Sequence, residues 1–146
     1  MIVAAPARKQ NDPFVIEEMI LESLKELKIV IAENYKLISD CLRKTLSRVE
    51  GFSVVGVAEN GVEALAMARE RGPHLLVLDI SMPFKDGIEV LEELRAEGSD
   101  TVIVMFTADP TPYSKKVCMD LGADYFLDKS QVGELVEICS LHLLAL

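Results

Sequence analysis

Cysteine is scarce in this sequence, and its distribution argues against disulfide bonds. The 146 residues include three cysteines, Cys41, Cys118 and Cys139. The number is odd, and each cysteine lies within an apolar pattern of helical spacing, which favours buried free thiols in a reducing compartment. We therefore expect a cytoplasmic protein.

Long hydrophobic runs are also missing. The opening stretch MIVAAPARKQ has a short apolar run before Pro6 and the charges of Arg8 and Lys9, which is too little for the core of a signal peptide. No later run approaches the roughly 20 apolar residues that a membrane helix requires. We expect no membrane partner.

Basic charge is in the minority. The chain has 15 lysines and arginines against 24 acidic residues, a net charge of -9. This field opposes binding to phosphate backbones and anionic lipid unless a local basic patch overrides it, and the sequence has no such patch. We expect no nucleic-acid partner.

Glycine-rich phosphate loops are missing as well. Neither G-x-G-x-x-G nor G-x-x-x-x-G-K-[ST] follows any predicted strand, which argues against a Rossmann dinucleotide site and a P-loop. The length suits a single domain that is large enough for a stable core without disulfide or metal staples. The function must therefore rest on another kind of site.

One amphipathic helix precedes the rest of the pattern. Asp12 is a favoured N-cap, and Pro13 suits the first turn. Periodicity extends the helix over residues 13–27, and the apolar side chains on one face are Ile16, Ile20, Leu24 and Leu27. The chain thus divides into an N-terminal extension, residues 1–27, and a domain, residues 28–146.

Strand patterns alternate with helix patterns from residue 28 onwards. Continuous apolar runs such as IVIA, LLVL and VIVMF are typical of strands buried on both faces. Their alternation with helices indicates right-handed crossovers and a three-layer α/β domain with a parallel sheet. The predicted strands are 28–32, 52–58, 74–80, 101–107 and 124–128, and the predicted helices are 35–49, 61–71, 87–97, 111–121 and 131–144.

Polar residues follow the predicted strands at their carboxyl ends. In an open parallel sheet, this edge binds ligands where the strand order reverses. Taken singly, each of these residues is common at a strand end or a helix start. Burying charges of opposite sign in one crevice, however, costs free energy of desolvation unless the charges pair or bind an ion. The combination of these residues therefore indicates a site. The candidates are Glu33, Asn34, Glu59, Asp79, Thr107 and Lys129.

Four stretches resemble the receiver domain of bacterial two-component response regulators. They are IVIAEN, LLVLDISMPFKDGIEVL with Asp79, Pro83 and Gly87, VIVMFTA with Thr107, and GADYFLDKS with Lys129. Their order, strand context and separations agree with that family over residues 28–144. The resemblance implies a flavodoxin-like (βα)5 fold with strand order 2-1-3-4-5, here with an extra N-terminal helix.

The resemblance also implies a phosphoacceptor. Asp79 is expected to take a phosphoryl group from a sensor histidine kinase or a phosphotransfer protein and so to switch a surface that a downstream protein reads. Lys129 and Thr107 would contact phosphoryl oxygen atoms. Such a protein is a signalling switch rather than an enzyme. The implied Mg²⁺ ligands are Glu33, Asn34, Asp79 and the backbone carbonyl of Ser81.

Two departures from the family pattern affect the site. Asn34 stands where the family usually has a second acid, so the resemblance implies weaker Mg²⁺ affinity. Ser130 stands where proline is commoner after Lys129, so the peptide bond there is expected to be trans or strained.

Three further positions concern switching and lifetime. Phe126 occupies the switch-aromatic position, in which it would respond to Thr107, with an ordinary core aromatic as the equal alternative. Ser81 and Asp109 lie where receivers tune the lifetime of the acyl phosphate.

The last predicted helix is apolar on more than one face. We expect the helix of residues 13–27 to cover it, within one chain or across a two-fold homodimer. The chain stops at Leu146, directly after this helix, which favours a single-domain regulator, a truncated one being the alternative.

Two other functions compete with the phosphorylated switch. A pseudo-receiver would dock a protein without phosphorylation. A phosphatase of haloacid-dehalogenase type would need a second acid two residues after its nucleophile, where Ser81 stands, so the sequence disfavours it.

Overall fold

The structure is a computed structural model that describes residues 9–146. Strands and helices alternate after one leading helix. Their bounds are α1 Pro13–Ser23, β1 Leu27–Ala32, α2 Lys36–Ser47, β2 Phe52–Ala58, α3 Gly61–Arg71, β3 Leu75–Leu78, α4 Gly87–Ala96, β4 Val102–Thr107, α5 Pro112–Asp120, β5 Tyr125–Asp128 and α6 Val132–Leu144.

The five strands form one parallel sheet with helices on both faces. The strand order is β2-β1-β3-β4-β5, which confirms the predicted flavodoxin-like order. One core cluster joins the sheet to α3, α4 and α5, and the other joins it to α2 and α6. Because β3 lies in the middle of the sheet, all four of its residues are buried, as its continuous apolar run predicts.

The boundary between helix and sheet differs from the prediction at the start of the domain. Asp12 caps α1 as expected, by accepting a hydrogen bond from the Phe14 N–H, but the helix ends at Ser23 instead of residue 27. Leu27 is fully buried and begins β1, and its N–H donates to the Gly51 carbonyl at 2.8 Å. Leu27 therefore belongs to the sheet, because it pairs with Phe52 of β2 and its side chain is buried in the core.

The first helix does not cover the last one within the chain. None of the residues of α1 is buried, and Ile16, Ile20 and Leu24 are 44%, 53% and 70% exposed. The part of the prediction that placed α1 on α6 of the same chain is wrong. In α6, the residues Leu135, Ile138 and Cys139 are buried against the sheet, while Leu141 and Leu144 remain exposed.

The cysteines divide into two kinds. All three are free thiols, and Cys118 and Cys139 are buried as predicted. Cys41 is exposed, which corrects the prediction, because α2 turns its Ser39, Leu42 and Leu46 side of the helix to the core and Cys41 lies off that stripe.

No described helix is long and apolar enough to cross a membrane. Every peptide bond among the described residues is trans, including the bond that joins Lys129 to Ser130.

Candidate functional site

Backbone hydrogen bonds extend the sheet just past the strand ends and so fix the candidate residues. The Asp79 N–H donates to the Ala32 carbonyl at 3.0 Å. In the same way, the Glu33 N–H donates to Ala58 at 2.9 Å and the Lys129 N–H donates to Thr107 at 2.9 Å. Each side chain therefore starts from a rigid buried strand, which restricts where its charged group can lie.

A single ammonium group joins two buried carboxylates at this edge. Lys129 Nζ lies 3.0 Å from Asp79 Oδ2 and 2.7 Å from Glu33 Oε2. The side chains of Asp79, Glu33 and Lys129 are only 3%, 2% and 11% exposed. Charges this deeply buried are costly unless they are paired, so the cluster is held together by mutual neutralisation. The three groups together retain one negative charge.

Burial and pairing shift the protonation equilibria of this cluster. Burial raises the pKa of Glu33 and the charge of Asp79 acts in the same direction, although the close contact with the Lys129 ammonium and the hydrogen bond from the Tyr35 N–H oppose it. Burial alone would lower the pKa of Lys129, but its hydrogen bonds and ion pairs with Glu33 and Asp79 outweigh it, and the pKa is raised. The ammonium therefore stays charged at neutral pH.

Two oxygen atoms of the site lack a hydrogen-bond partner. Among the described residues, the buried side-chain atoms in this condition are Glu33 Oε2 and Asn34 Oδ1. Glu33 Oε2 faces Lys129 Nζ at ion-pair distance without hydrogen-bond alignment. Buried oxygen atoms that accept no hydrogen bond are costly in an apolar environment and are suitable ligands for a hard cation. This donor set of carboxylate and amide oxygens fits Mg²⁺.

Tyr35 is a site residue that the sequence reasoning missed. Its N–H donates to Glu33 Oε1 at 3.0 Å, and Lys129 Nζ lies 5.7 Å from the centre of its ring. The contact joins residues 94 positions apart in the chain, so no local sequence pattern signals it. Only its place directly after Glu33 and Asn34 at a strand end pointed to this region.

The loop between β3 and α4 is held between two glycines. A side chain at Gly87 would overlap the Asp79 carbonyl, and one at Gly61 would overlap the Lys85 carbonyl. Backbones that approach this closely require glycine. Gly87 belongs to the stretch that carries the family resemblance, whereas no sequence pattern marked Gly61. The signal for the helix start was the Asp86–Gly87 pair, since Asp86 caps α4 by accepting from the Glu89 N–H.

The remaining candidates lie at different depths around the site. Thr107 is buried at the end of β4, and its Oγ1 accepts a hydrogen bond from the Asp109 N–H at 3.3 Å. Asp109 itself and Ser81 are exposed. Glu59 is exposed after the edge strand β2, and the structure does not bring it into the Lys129 cluster.

Phe126 is half-buried and packs against the core cluster of α3, α4 and α5. It also lines a surface pocket of about 410 Å³ under the segment that follows β4, together with Pro110, Pro112 and Lys115. The Phe126 side chain therefore borders an open pocket beside the segment that follows Thr107. Its part in switching stays a prediction.

Comparison with known proteins identifies one family that this chain resembles. The model of the response regulator receiver domain matches residues 29–140. The response regulator MprA of Mycobacterium avium is 38% identical over 103 residues, which cover 70% of this chain and 44% of MprA. BvgA of Bordetella pertussis, named as a transcription regulator of virulence factors, is 33% identical over 104 residues, which cover 71% of this chain and 49% of BvgA. The chain spans about half the length of these relatives.

Solved structures agree with the sequence comparisons. The receiver domain of the Francisella response regulator 1452 superposes with a TM-score of 0.75 at 25% identity, over 81% of this chain and 97% of that domain. The similarity therefore extends over most of this chain and nearly all of that domain.

Proposed function

This chain belongs to the response regulator receiver domain family of two-component signalling, and from that premise we propose that Asp79 accepts a phosphoryl group. The observation that supports this most directly is the Lys129 ammonium held 3.0 Å from a carboxylate at the end of the central strand. The donor is a histidine kinase or a histidine phosphotransfer protein. The domain acts as a switch and not as an enzyme with a separate substrate.

Transfer from a phosphohistidine forms one bond and breaks another. An Asp79 oxygen atom bonds to phosphorus while the bond between phosphorus and the imidazole nitrogen breaks, and the electron pair returns to the ring. Lys129 then exchanges its contact with a carboxylate for one with a phosphoryl oxygen, and the Thr107 hydroxyl donates to another. Both groups stabilise the charge that accumulates on the phosphoryl oxygen atoms.

The site requires a divalent cation in this proposal. Bound Mg²⁺ neutralises charge on the incoming phosphoryl group. Its ligands would be Glu33, Asn34, Asp79 and the Ser81 carbonyl, and the buried oxygen atoms of Glu33 and Asn34 that accept no hydrogen bond support this assignment. An amide in place of a second acid lowers the negative charge of the site, so we expect weaker Mg²⁺ affinity than in receivers with two acids.

The output is a change in a surface that a protein partner reads. We propose that Thr107 moves toward the phosphoryl group and that Phe126 follows it into the neighbouring space, while Ser81 and Asp109 tune the lifetime of the acyl phosphate. The partner is a downstream protein, since the net charge of -9 opposes contact of this domain with nucleic acid. We propose a cytoplasmic location, in which free thiols persist.

The intact mass of the protein after incubation with acetyl phosphate tests this proposal. With Mg²⁺ present, we expect the gain of one phosphoryl group, and we expect no gain without Mg²⁺ or in Asp79→Asn. Asp120→Asn is the control, because Asp120 lies outside the ion cluster in an exposed ion pair with Lys116 and its variant should still be phosphorylated.

An unchanged mass in the wild-type protein, at Mg²⁺ concentrations up to tens of millimolar, would contradict the phosphoacceptor role. If beryllofluoride also failed to perturb the folded protein, docking of a protein partner without phosphorylation would replace the phosphoacceptor role as the proposed function.

A further inference from the structure

We propose that Tyr35 is a positioning residue whose ring holds the Lys129 ammonium at Asp79 for phosphoryl transfer. This inference rests on the proposed function, since the transfer is the step that Lys129 assists. Nothing in the sequence pattern marks Tyr35. The proposal comes from two contacts that only the folded chain makes.

Tyr35 contacts both members of the Lys129–Glu33 ion pair. Its backbone N–H donates to Glu33 Oε1 at 3.0 Å. The centre of its ring lies 5.7 Å from Lys129 Nζ, within the roughly 6 Å over which the face of an aromatic ring attracts a cation. Tyr35 therefore holds the carboxylate through its backbone and the ammonium through its side chain.

The exposure of Tyr35 argues against a role in the core. The residue is 63% exposed, whereas the Lys129 side chain beneath it is 11% exposed. A ring that is mostly in solvent gains little from apolar burial. Its contact with the ammonium distinguishes it from Tyr113, which is 79% exposed on α5 and serves as a matched control.

An aromatic ring suits this position better than an acid does. In transfer from acetyl phosphate, an Asp79 oxygen atom bonds to phosphorus, the bond between phosphorus and the acetate oxygen breaks, and acetate leaves with the electron pair. Negative charge is then spread over the phosphoryl oxygen atoms. The ring attracts the ammonium without adding a full negative charge that would repel the phosphoryl group. Lys129 is thus placed before the reaction and needs little rearrangement during it.

The rate constant of phosphorylation by acetyl phosphate tests the role in transfer. Tyr35→Leu should lower this rate constant about two- to fivefold, the effect expected for one exposed contact between a cation and a ring. Tyr35→Phe keeps the ring face and should restore the rate to within twofold of the wild type. Tyr113→Leu should have no effect. The Mg²⁺ affinity and melting temperature of each variant are measured alongside.

Three kinetic results would overturn the proposal. These are a wild-type rate in Tyr35→Leu, an equal loss in Tyr35→Phe and Tyr35→Leu, and a loss that follows a fall in Mg²⁺ affinity. The second would assign the effect to the hydroxyl, and the third would assign it to Glu33.

A second experiment needs no phosphoryl transfer and so separates this inference from the proposed function. In a double-mutant cycle of Tyr35→Leu and Lys129→Met, measured by urea unfolding, the two residues should be coupled by about two- to fivefold in the unfolding equilibrium constant. If Lys129→Met fails to fold, the cycle is measured in the Asp79→Asn background, which removes one of the carboxylates left unpaired. Independent effects of the two substitutions would overturn the proposal even if Asp79 is phosphorylated.

Discussion

At the scale of single residues, the stability of the site depends on Lys129. Its ammonium neutralises Asp79 and Glu33, which are 3% and 2% exposed and lie at 3.0 and 2.7 Å. A buried carboxylate without a partner is far more costly than a surface one. The proposed function of the site and the stability of the fold therefore depend on the same side chain.

Lys129→Met should lower the free energy of unfolding by about 3–5 kcal/mol at pH 7, because it leaves two buried carboxylates without a positive partner. Urea unfolding without Mg²⁺ measures this. The control is Lys116→Met, which removes an exposed ion pair with Asp120 and should leave the stability unchanged. Equal stability of Lys129→Met and the wild type would show that the carboxylates are not held as a charged cluster.

The thiols should differ sharply in reactivity. Burial raises the pKa of Cys139 from 9.0 to about 12, which lowers its thiolate fraction at pH 8 about a thousandfold. Burial also raises the pKa of Cys118, whereas Cys41 is exposed. We expect a thiol reagent to modify Cys41 rapidly in the native protein and the other two only after unfolding. Peptide mass mapping of the modified protein identifies the site, and early modification of Cys139 would contradict the buried assignment.

The buried thiol of Cys139 also predicts a dependence of stability on alkaline pH. The folded state keeps the proton that the unfolded state loses above its pKa of 9.0. Stability is therefore retained below pH 9 and falls as the pH rises toward about 12. Cys139→Ala should reduce this loss relative to the wild type in unfolding curves at pH 8 and 10.5.

At the scale of elements, the loop from β3 to α4 is where backbone packing determines the site. Gly87 meets the carbonyl of Asp79, and Gly61 in α3 meets the carbonyl of Lys85 in the same loop. The first turns of two helices thus pack closely against the segment that carries Asp79, the proposed phosphoacceptor. Phe84 in this loop has a φ of 67°, a left-handed conformation that is uncommon for a bulky residue.

Gly87→Ala should destabilise the protein by about 1–3 kcal/mol, because the added methyl group forces the Asp79 backbone to shift. It should also slow phosphorylation by acetyl phosphate. Gly133→Ala is the matched control in α6, where an added methyl group has open space. That variant should be stabilised by about 0.4–1 kcal/mol. Thermal unfolding compares the stability of the two variants. An equal change in stability would show that the loop shifts to accommodate the added methyl group at little cost.

The element boundaries show how local the sequence signal is. The helices α2 to α6 lie within two residues of their predicted bounds, because apolar spacing and caps such as Asp86 act over a few residues. The third strand is shorter than predicted, Leu75–Leu78, since His74 and Asp79 are polar groups at its two ends. The prediction placed the end of α1 too late, because the apolar spacing of the helix continues to Leu27, which is the first residue of β1.

At the scale of the whole molecule, α1 stands apart from the sheet. It is apolar on most sides and buries none of its residues. Five large apolar side chains of the helix and that of Leu24 at its C-cap are 44% to 70% exposed. They are Phe14, Ile16, Met19, Ile20, Leu21 and Leu24. A helix of this composition is normally covered, and the other alternative of the prediction, in which α1 covers α6 of a second copy across a two-fold dimer, stays a prediction.

Light scattering tests the dimer. We expect a mass of about twice 16.1 kDa at tens of micromolar protein, and a monomer mass for the triple variant Ile16→Lys, Ile20→Lys and Leu24→Lys. Tyr113→Lys places a charge on an exposed apolar position of α5 and should remain dimeric. A monomeric wild-type protein would contradict association through α1.

The sequence by itself determined the alternation of strands and helices, the burial of the central strand, and a carboxylate at its end, because these follow from spacing over a few residues. The sequence also placed the candidate charges at one edge of the sheet, but only the tertiary structure decided which of them pair. Lys129 lies between Asp79 and Glu33, 50 positions from the former in the chain, and Tyr35 lies at its ammonium. Such contacts depend on strand order and on how far each side chain reaches, and neither quantity is written in any local pattern.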